Sequence, residues 1–420
     1  MKKDRAYKAF SVGIILMILF IVGSIANGRI TYYTGISVLI IFIFFSKGRI
    51  PTHNLFFPYY PLFIYGIIIS IIIATKTTFS ARDFLVGIID FANPILFIMI
   101  GAILTQLINL NNFFKYLIFS GTFVSIFQLL LLALNINTAD SINSLRMSML
   151  PTPNIIPLVM VLLIYRKVLN IEITKGIGTF AFLVVLISFI ATLSRTLILE
   201  FLVYILLFSL NNKFFKKNML VYLIVISGSL LTYTYLSAST LGNAFIEKIV
   251  KSITEMSSGN DWNQLSNILD NWRGYEVFSA KNQINSMGMF ERIFGEGLAS
   301  KIFVGPYAMY VGVDSMSIPY LHNSFYTILV KLGYFGVVYY CAFLIMNFLY
   351  FLNKSKLNPV YLLVPSTIVV LALNSKLMQG VIIMGHDSIL LVVLGYLSSY
   401  IMNRQRLLKN RNRIKGLDYE

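Results

Sequence analysis

Long apolar runs, repeated along most of the chain, are the feature that most restricts its fold. A transmembrane helix needs ~20 predominantly apolar residues, and runs of about this length recur between residues 10 and 402. Hydrophobic residues make up 57% of the 420 residues and charged residues only 12%. That is too little polar surface for a soluble protein of ordinary composition. The pattern predicts an all-α, polytopic integral membrane protein and excludes a soluble enzyme or a disordered chain.

Twelve apolar segments are predicted to span the membrane. They lie near 10–26, 31–46, 55–74, 84–108, 113–135, 154–170, 176–193, 196–210, 219–237, 333–352, 359–377 and 382–402. One long hydrophilic loop separates the ninth span from the tenth. We therefore predict a nine-span N-terminal bundle (1–237), a loop (238–321), and a C-terminal three-span segment with a basic tail (322–420).

The positions of the basic residues predict how the spans are oriented. With the N-terminus in the cytoplasm, 21 of the 34 Lys and Arg residues fall in cytoplasmic segments and six in short outer links. The other seven lie in the long loop and its junction. The positive-inside rule then places both termini in the cytoplasm and the long loop on the opposite side of the membrane. The net charge of +17 is thus explained by orientation and by anionic lipid at the tail, so no nucleic-acid partner is expected.

The long loop contains a stretch with helical periodicity. Its apolar positions are Leu265, Ile268, Leu269, Trp272, Tyr275 and Phe278, with polar residues between them. Two interpretations are open. The stretch is either an amphipathic helix that rests on the bilayer surface or part of a lid over a site embedded in the membrane.

The chain lacks the common motifs of cofactor and metal chemistry. It contains no nucleotide-binding loop, no paired metal-ligand cysteines and no HExxH sequence. Its single cysteine, Cys341, cannot form an intramolecular disulfide. We expect neither a cofactor nor a metal. The few ionisable residues at membrane depth or at its outer edge are therefore the candidates for function.

A spaced motif begins at the end of the loop. His322 and Asn323 are followed by nine positions and then by Gly333-Tyr334-Phe335-Gly336. This pattern resembles the motif shared by bacterial O-antigen polymerases and O-antigen ligases, which also lies after a long periplasmic loop.

Two further stretches resemble the same families. Leu193-Ser194-Arg195-Thr196 matches their Ser-Arg pair at an outer turn, and Asn271-Trp272-Arg273 followed by Phe294-Gly295-Glu296-Gly297 matches their arginine and Phe-Gly-x-Gly stretch. The resemblance covers roughly 155–350, and the earlier spans match only in hydropathy.

The resemblance implies a reaction and a role for each residue. The donor is an oligosaccharide on undecaprenyl diphosphate, and an acceptor hydroxyl displaces the lipid diphosphate at the periplasmic face. Arg195 and Arg273 would hold the diphosphate, because a guanidinium binds two phosphate oxygens and stays charged. His322 would act as general base or orient the acceptor. Membrane lipids and a chain-length regulator protein are the further partners that the resemblance implies.

Each of these residues also has a structural interpretation. Arg195 can extend to the outer headgroups, and Arg273 can stack on Trp262 or Trp272 or bind anionic lipid. His322 can cap the helix that follows it.

Six more residues are candidates for supporting roles: Asn323, Asp90, Glu200, Arg82, Arg146 and His386. Asp90 lies within the fourth span and either pairs with a buried arginine, lines a lipid cleft or forms a polar structural bridge. Glu200 is a candidate for an ion pair across helices. Arg82 and Arg146 can assist the diphosphate, and His386 can line an acceptor groove.

Three functions remain open at this point. The favoured one is an O-antigen polymerase, because the front half of the chain matches no ligase pattern and divergent front halves suit enzymes with varied repeat units. The nearest alternative is an O-antigen ligase that transfers glycan to lipid A–core. A transporter of lipid-linked glycans is the rival from another class, and we would expect inverted repeats and broken helices in it.

Overall fold

The computed structural model describes residues 2–51, 55–74, 80–135, 150, 154–192, 194–210, 262, 264–311, 315–356 and 358–417. Within these ranges the chain is mostly helical, as predicted, with one small sheet. The predicted span 219–237 and the candidate residue Arg146 lie outside the described residues.

The described helices run in chain order as α1 (Lys2–Ile25), α2 (Gly28–Phe45), α3 (Tyr60–Ala74), α4 (Ala81–Leu104), α5 (Leu110–Asn135), α6 (Ile155–Ile164), α7 (Lys175–Ala191), α8 (Arg195–Ser209), α9 (Leu265–Asp270), α10 (Trp272–Ser286), α11 (Met289–Phe294), α12 (Ser324–Ser355), α13 (Leu363–Leu377) and α14 (Ser388–Leu417). Strands β1 (Ile302–Phe303) and β2 (Ser317–Ile318) pair antiparallel. Single 3-10 turns occupy Pro306–Val311 and Pro359–Leu362.

Several helices have the length and composition of membrane spans. Five are long and apolar enough to cross a bilayer: Gly28–Phe45, Ala81–Leu107, Leu110–Asn135, Ser324–Ser355 and Pro359–Leu377. Four shorter apolar helices coincide with other predicted spans: Ala9–Ile25, Tyr60–Ala74, Ile155–Ile164 and Lys175–Ala191. The structure therefore supports a membrane protein, while the number of twelve spans and their orientation stay predictions.

Helices α4 and α14 cross with their backbones in close approach. A Cβ atom at Gly101 would overlap the carbonyl oxygen of Val392, and one at Gly395 would overlap that of Ile98. Small residues are what allow such close approach between apolar helices. The crossing brings α4, which carries Asp90, against the beginning of α14.

Two glycine stretches that the sequence analysis singled out pack against each other. Gly333 interrupts α12 with a φ of 66°, and a Cβ there would overlap the carbonyl oxygen of Ile293. Gly295 has a φ of 89° and faces the backbone of Lys331 in the same way. The Gly297 amide donates to the Lys331 carbonyl oxygen at 2.9 Å. Positive φ and this contact explain why both positions need glycine.

The helix that contains Gly333 also begins earlier than the predicted tenth span. The sequence placed its beginning at residue 333, whereas α12 begins at Ser324, nine residues earlier, and is kinked at Gly333. The Lys331 ammonium group, almost fully buried, donates to the carbonyl oxygens of Leu298 at 2.7 Å and Ser300 at 2.6 Å. The loop is thereby fastened to the first turns of α12.

The loop residues have a small hydrophobic core of their own. Ile268 of α9 and Tyr275 of α10 pack with Ile302 of β1, Leu321 and Val330. The helical spacing predicted over 265–278 is present, but Asn271 divides it into two helices. On its apolar face, Ile268 and Tyr275 are covered by protein, whereas Leu265 and Leu269 are exposed.

A non-helical connection, 378–387, joins α13 to α14 inside the protein. Val381 and Ile382 are each 1% exposed. The predicted twelfth span was placed from residue 382, but the helix begins only at Ser388, because Gly380, Gly385 and Asp387 adopt positive φ. Irregular backbone is tolerated at membrane depth only where protein or a cavity surrounds it. The sequence alone did not reveal this buried, non-helical connection between two helices.

Candidate functional site

His322 is held by a buried glutamate from the loop. Its Nδ1 lies 2.9 Å and 3.0 Å from the two carboxylate oxygens of Glu276, and its backbone amide donates to Glu276 Oε2 at 3.0 Å. The Glu276 side chain is 3% exposed and that of His322 is 36% exposed. One partner is therefore fixed in the protein and the other is accessible.

The local sequence explains why these groups meet. Glu276 lies in α10, with Tyr275 in the loop core and the Tyr275 hydroxyl bonded to the Val304 carbonyl oxygen at 3.1 Å. His322 directly precedes α12. Asn323 is the N-cap residue of that helix, and its Oδ1 accepts from the Phe325 amide at 3.1 Å. Capping thus falls to Asn323, and the His322 side chain is directed to Glu276 instead.

The carboxylate determines which ring nitrogen of His322 can react. Because a carboxylate accepts hydrogen bonds, Nδ1 carries the proton that points to Glu276. Nε2 is then the nitrogen with a lone pair. A carboxylate behind an imidazole also stabilises the imidazolium that forms when Nε2 takes a proton. The pair has the arrangement of a general base and its orienting group.

The two arginines predicted to bind the diphosphate lie in different surroundings. Arg273 is exposed in the first turn of α10. It precedes Glu276 by three positions, a spacing that makes helical side chains neighbours. Arg195 is the first residue of α8 and is half-buried. Arg273 therefore shares α10 with Glu276, while Arg195 lies on a separate helix, and among the described residues the structure shows no hydrogen bond or ion pair of either arginine with the histidine pair.

His386 lies in the connection 378–387, close enough to His322 for the two rings to interact electrostatically. Its side chain is partly buried, and its backbone carbonyl oxygen accepts from Asn93 Nδ2 at 3.1 Å.

Asp90 forms part of the support for this connection. Its Oδ1 accepts from the Met384 amide at 3.0 Å, and the neighbouring Asn93 bonds both to the Gly385 amide at 2.8 Å and to the His386 carbonyl oxygen at 3.1 Å. Of the roles considered for Asp90, this geometry is that of a polar structural bridge.

The remaining candidates lie apart from the histidine pair. Arg82 is exposed in the first turn of α4, beside Asp83, which forms an ion pair with Lys301 at 2.8 Å. Glu200 is fully buried in α8 and lies beside Asn374 of α13. Within the described ranges, no group of three or more His, Cys, Asp or Glu side chains is placed to hold a metal ion.

Sequence reasoning missed Glu276. The available signal was Arg273-Gly-Tyr-Glu276, in which a second charged residue follows the arginine by one helical turn. Nothing local, however, distinguishes this acid from the others in the loop, because its partner is 46 positions away in the chain.

Comparison of the chain with protein-family models and with curated proteins gives no match. The resemblance to the O-antigen enzymes therefore depends on the motifs themselves.

Proposed function

We propose that this chain is a membrane glycosyltransferase that extends lipid-linked glycans in the manner of an O-antigen polymerase. The observation that carries the proposal is the pairing of accessible His322 with buried Glu276. Arg273 precedes Glu276 by three positions on the same helix, which places an arginine able to bind a diphosphate on the element that holds the proposed base. The stretches that resemble those of O-antigen enzymes supply His322 and Arg273, while Glu276 lies outside them.

In the proposed reaction the histidine, the glutamate and the two arginines have separate roles. The acceptor hydroxyl oxygen attacks the anomeric carbon of the donor sugar, and the bond between that carbon and the diphosphate oxygen breaks. The hydroxyl proton passes to His322 Nε2, and Glu276 stabilises the resulting imidazolium. The electron pair leaves with the undecaprenyl diphosphate, whose added charge Arg273 and Arg195 neutralise.

The location of the site suits a lipid-linked donor. His322 lies where the loop meets α12, a helix long and apolar enough to span a bilayer. A diphosphate at the headgroup level of an undecaprenyl lipid would lie at that boundary. In this proposal the loop is periplasmic, both termini are cytoplasmic, and the substrate reaches the site within the inner membrane.

A transporter of the same lipid-linked glycans is the second candidate. The observation that favours it is the buried non-helical connection 378–387, since transporters form their binding sites partly from irregular backbone between helical segments. The Glu276–His322 pair favours the enzyme, because a pathway for transport does not require an accessible imidazole backed by a carboxylate.

A gene deletion in the native host separates the candidates. Loss of a polymerase leaves a single glycan repeat on lipid A–core, loss of a ligase leaves bare core, and loss of a transporter leaves lipid-linked repeats at the cytoplasmic face. We expect the first result, with long glycans restored by the wild-type gene. Either of the other two would contradict the polymerase assignment.

A further inference from the structure

Two carboxyl groups lie inside the helical bundle and belong to neither member of the Glu276–His322 pair. Glu200 of α8 is 0% exposed and Asp387, directly before α14, is 7% exposed. Asn374 lies between them: its Nδ2 donates to Asp387 Oδ1 at 2.9 Å, and its side chain adjoins Glu200. Asn154, before α6, donates to the same Asp387 oxygen at 2.6 Å. Four elements of the bundle therefore meet at these side chains.

The cluster contains buried oxygens without hydrogen-bond partners. They are both carboxyl oxygens of Glu200, Oδ2 of Asp387, and the side-chain oxygens of Asn154 and Asn374. Both amides direct their NH₂ groups to one oxygen of Asp387, which leaves their own oxygens without a donor. Asn374 is 1% exposed, so water at the protein surface does not reach it. Such an arrangement is costly unless something binds the oxygens.

The charge of the cluster points to a cation. Burial disfavours the ionised form of both carboxyl groups, and the two amide donors on Asp387 offset this only in part, so two ionised carboxylates here require a compensating positive charge. Within the part of the chain that the structure describes, neither carboxyl group takes part in an ion pair. The other polar neighbours are neutral: the Tyr204 hydroxyl lies 3.3 Å from Thr367 Oγ1, and the Tyr340 hydroxyl lies 2.7 Å from Ser375 Oγ.

A proton on Glu200 would satisfy fewer groups than a metal cation. A protonated carboxyl group donates one hydrogen bond, so most of the five unpartnered oxygens would remain without a partner. A hard cation contacts several oxygens at once, and carboxylate and carbonyl oxygens are the ligands that such cations prefer. Asn374 also lies in the last turn of α13, where the helix dipole favours positive charge.

The backbone around the cluster has the form found at ion sites in membrane proteins. Asp387 follows the non-helical connection and has a φ of 50°, uncommon for a residue other than glycine. Interrupted helices commonly place side chains and helix ends around a bound sodium ion.

We propose that Glu200, Asp387, Asn374 and Asn154 form a buried binding site for a monovalent alkali cation. The site is separate from the proposed glycosyl transfer, which requires no such ion. A bound cation would tie α8, α13 and the beginning of α14 together and so stabilise the connection that carries His386.

The test uses the purified full-length chain in detergent, with sodium chloride compared with choline chloride at equal ionic strength. We expect sodium to raise the Tm by several degrees in a concentration-dependent way, because it binds the folded state. Equilibrium binding of radioactive sodium should approach about one ion per chain for a single site. Glu200→Gln and Asp387→Asn should lose both responses. The matched control is Glu172→Gln, which changes an acid whose side chain is 81% exposed and should keep them.

The outcomes are decisive even if a variant does not fold. Equal wild-type Tm values in sodium and choline, with no sodium bound, would overturn the proposal and assign Glu200 a proton instead. An unchanged sodium response in Glu200→Gln would also overturn it. Neither result depends on glycan chemistry, so failure of this site and failure of the proposed function are distinguishable.

Discussion

Glu276 and Glu200 are two glutamates with nearly equal burial and different surroundings. Their exposed fractions are 2% and 0%, and both lie within helices. Glu276 contacts the backbone amide and the ring of His322, which reaches solvent. Glu200 instead lies near the carboxyl group of Asp387 and beside the Asn374 side chain, and neither of its own carboxyl oxygens has a hydrogen-bond partner. Burial alone therefore does not assign a role to an acid. The neighbouring group decides whether the charge orients a base or requires a cation.

The largest effect should follow from removing the imidazole. If the Glu276–His322 pair is the catalytic centre, His322→Ala should lower glycan extension by about 10²–10⁴-fold, the usual contribution of a general base. The protein should still insert, because the side chain lies outside the helical bundle. Glycan length on gels, normalised to the amount of membrane-inserted protein, measures this. Normal extension by His322→Ala would contradict the proposed base.

Neutralising the partner carboxylate should have a smaller effect. Glu276→Gln keeps the size of the side chain but removes the charge that stabilises the imidazolium, so extension should fall by about tenfold or more. Glu172→Gln is the control, because Glu172 is an exposed acid far from His322 in the chain. Equal activity of the two variants would show that Glu276 only supports the loop.

The arginines should respond to a change of geometry at constant charge. Arg273→Lys and Arg195→Lys retain a cation but lose the planar fork, and we expect about tenfold weaker transfer in each because charge-assisted pairs are worth roughly 1.5–3 kcal/mol. Arg49→Lys, at an exposed position far from the site in the chain, is the matched control. Initial rates with purified lipid-linked repeats measure the effect. An active Arg273→Lys variant would mean that Arg273 contacts lipid or the tryptophans instead.

The smallest effect on glycan transfer should come from changing Gly333, which supports the fold and is not proposed to contact the substrate. Gly333→Ala introduces a Cβ at a φ of 66° and against the Ile293 carbonyl group, at a cost of about 1–3 kcal/mol in folding stability. Gly176→Ala is the control, since nothing lies within 4 Å of its Cβ position. We expect a lower Tm for Gly333→Ala, with activity reduced in proportion to the loss of folded protein. An unchanged Tm would show that the backbone contact between the Gly333 and Gly295 stretches does not hold the loop against α12.

Local patterns predicted some features and missed others for identifiable reasons. The helical spacing over 265–278 was correct because side-chain periodicity is a property of the segment itself. The break at Asn271 and the late start of α14 at Ser388 were missed, since both depend on packing around an irregular backbone. The connection before Ser388 contains the apolar run Val381-Ile382-Ile383-Met384, so its hydropathy continues that of the following helix. Bonds from Asp90 and Asn93, nearly 300 positions away, hold it in another conformation.

The sequence by itself determined the helical, membrane-embedded class, the position of the long hydrophilic loop, and the motif residues His322, Gly333 and Arg273. Hydropathy and spacing are properties of neighbours in the chain, so they can be read without a fold. The tertiary structure alone decided that Glu276 supports His322 and that Glu200 meets Asp387. These pairs join residues 46 and 187 positions apart, and their energies arise only when packing removes the charges from water.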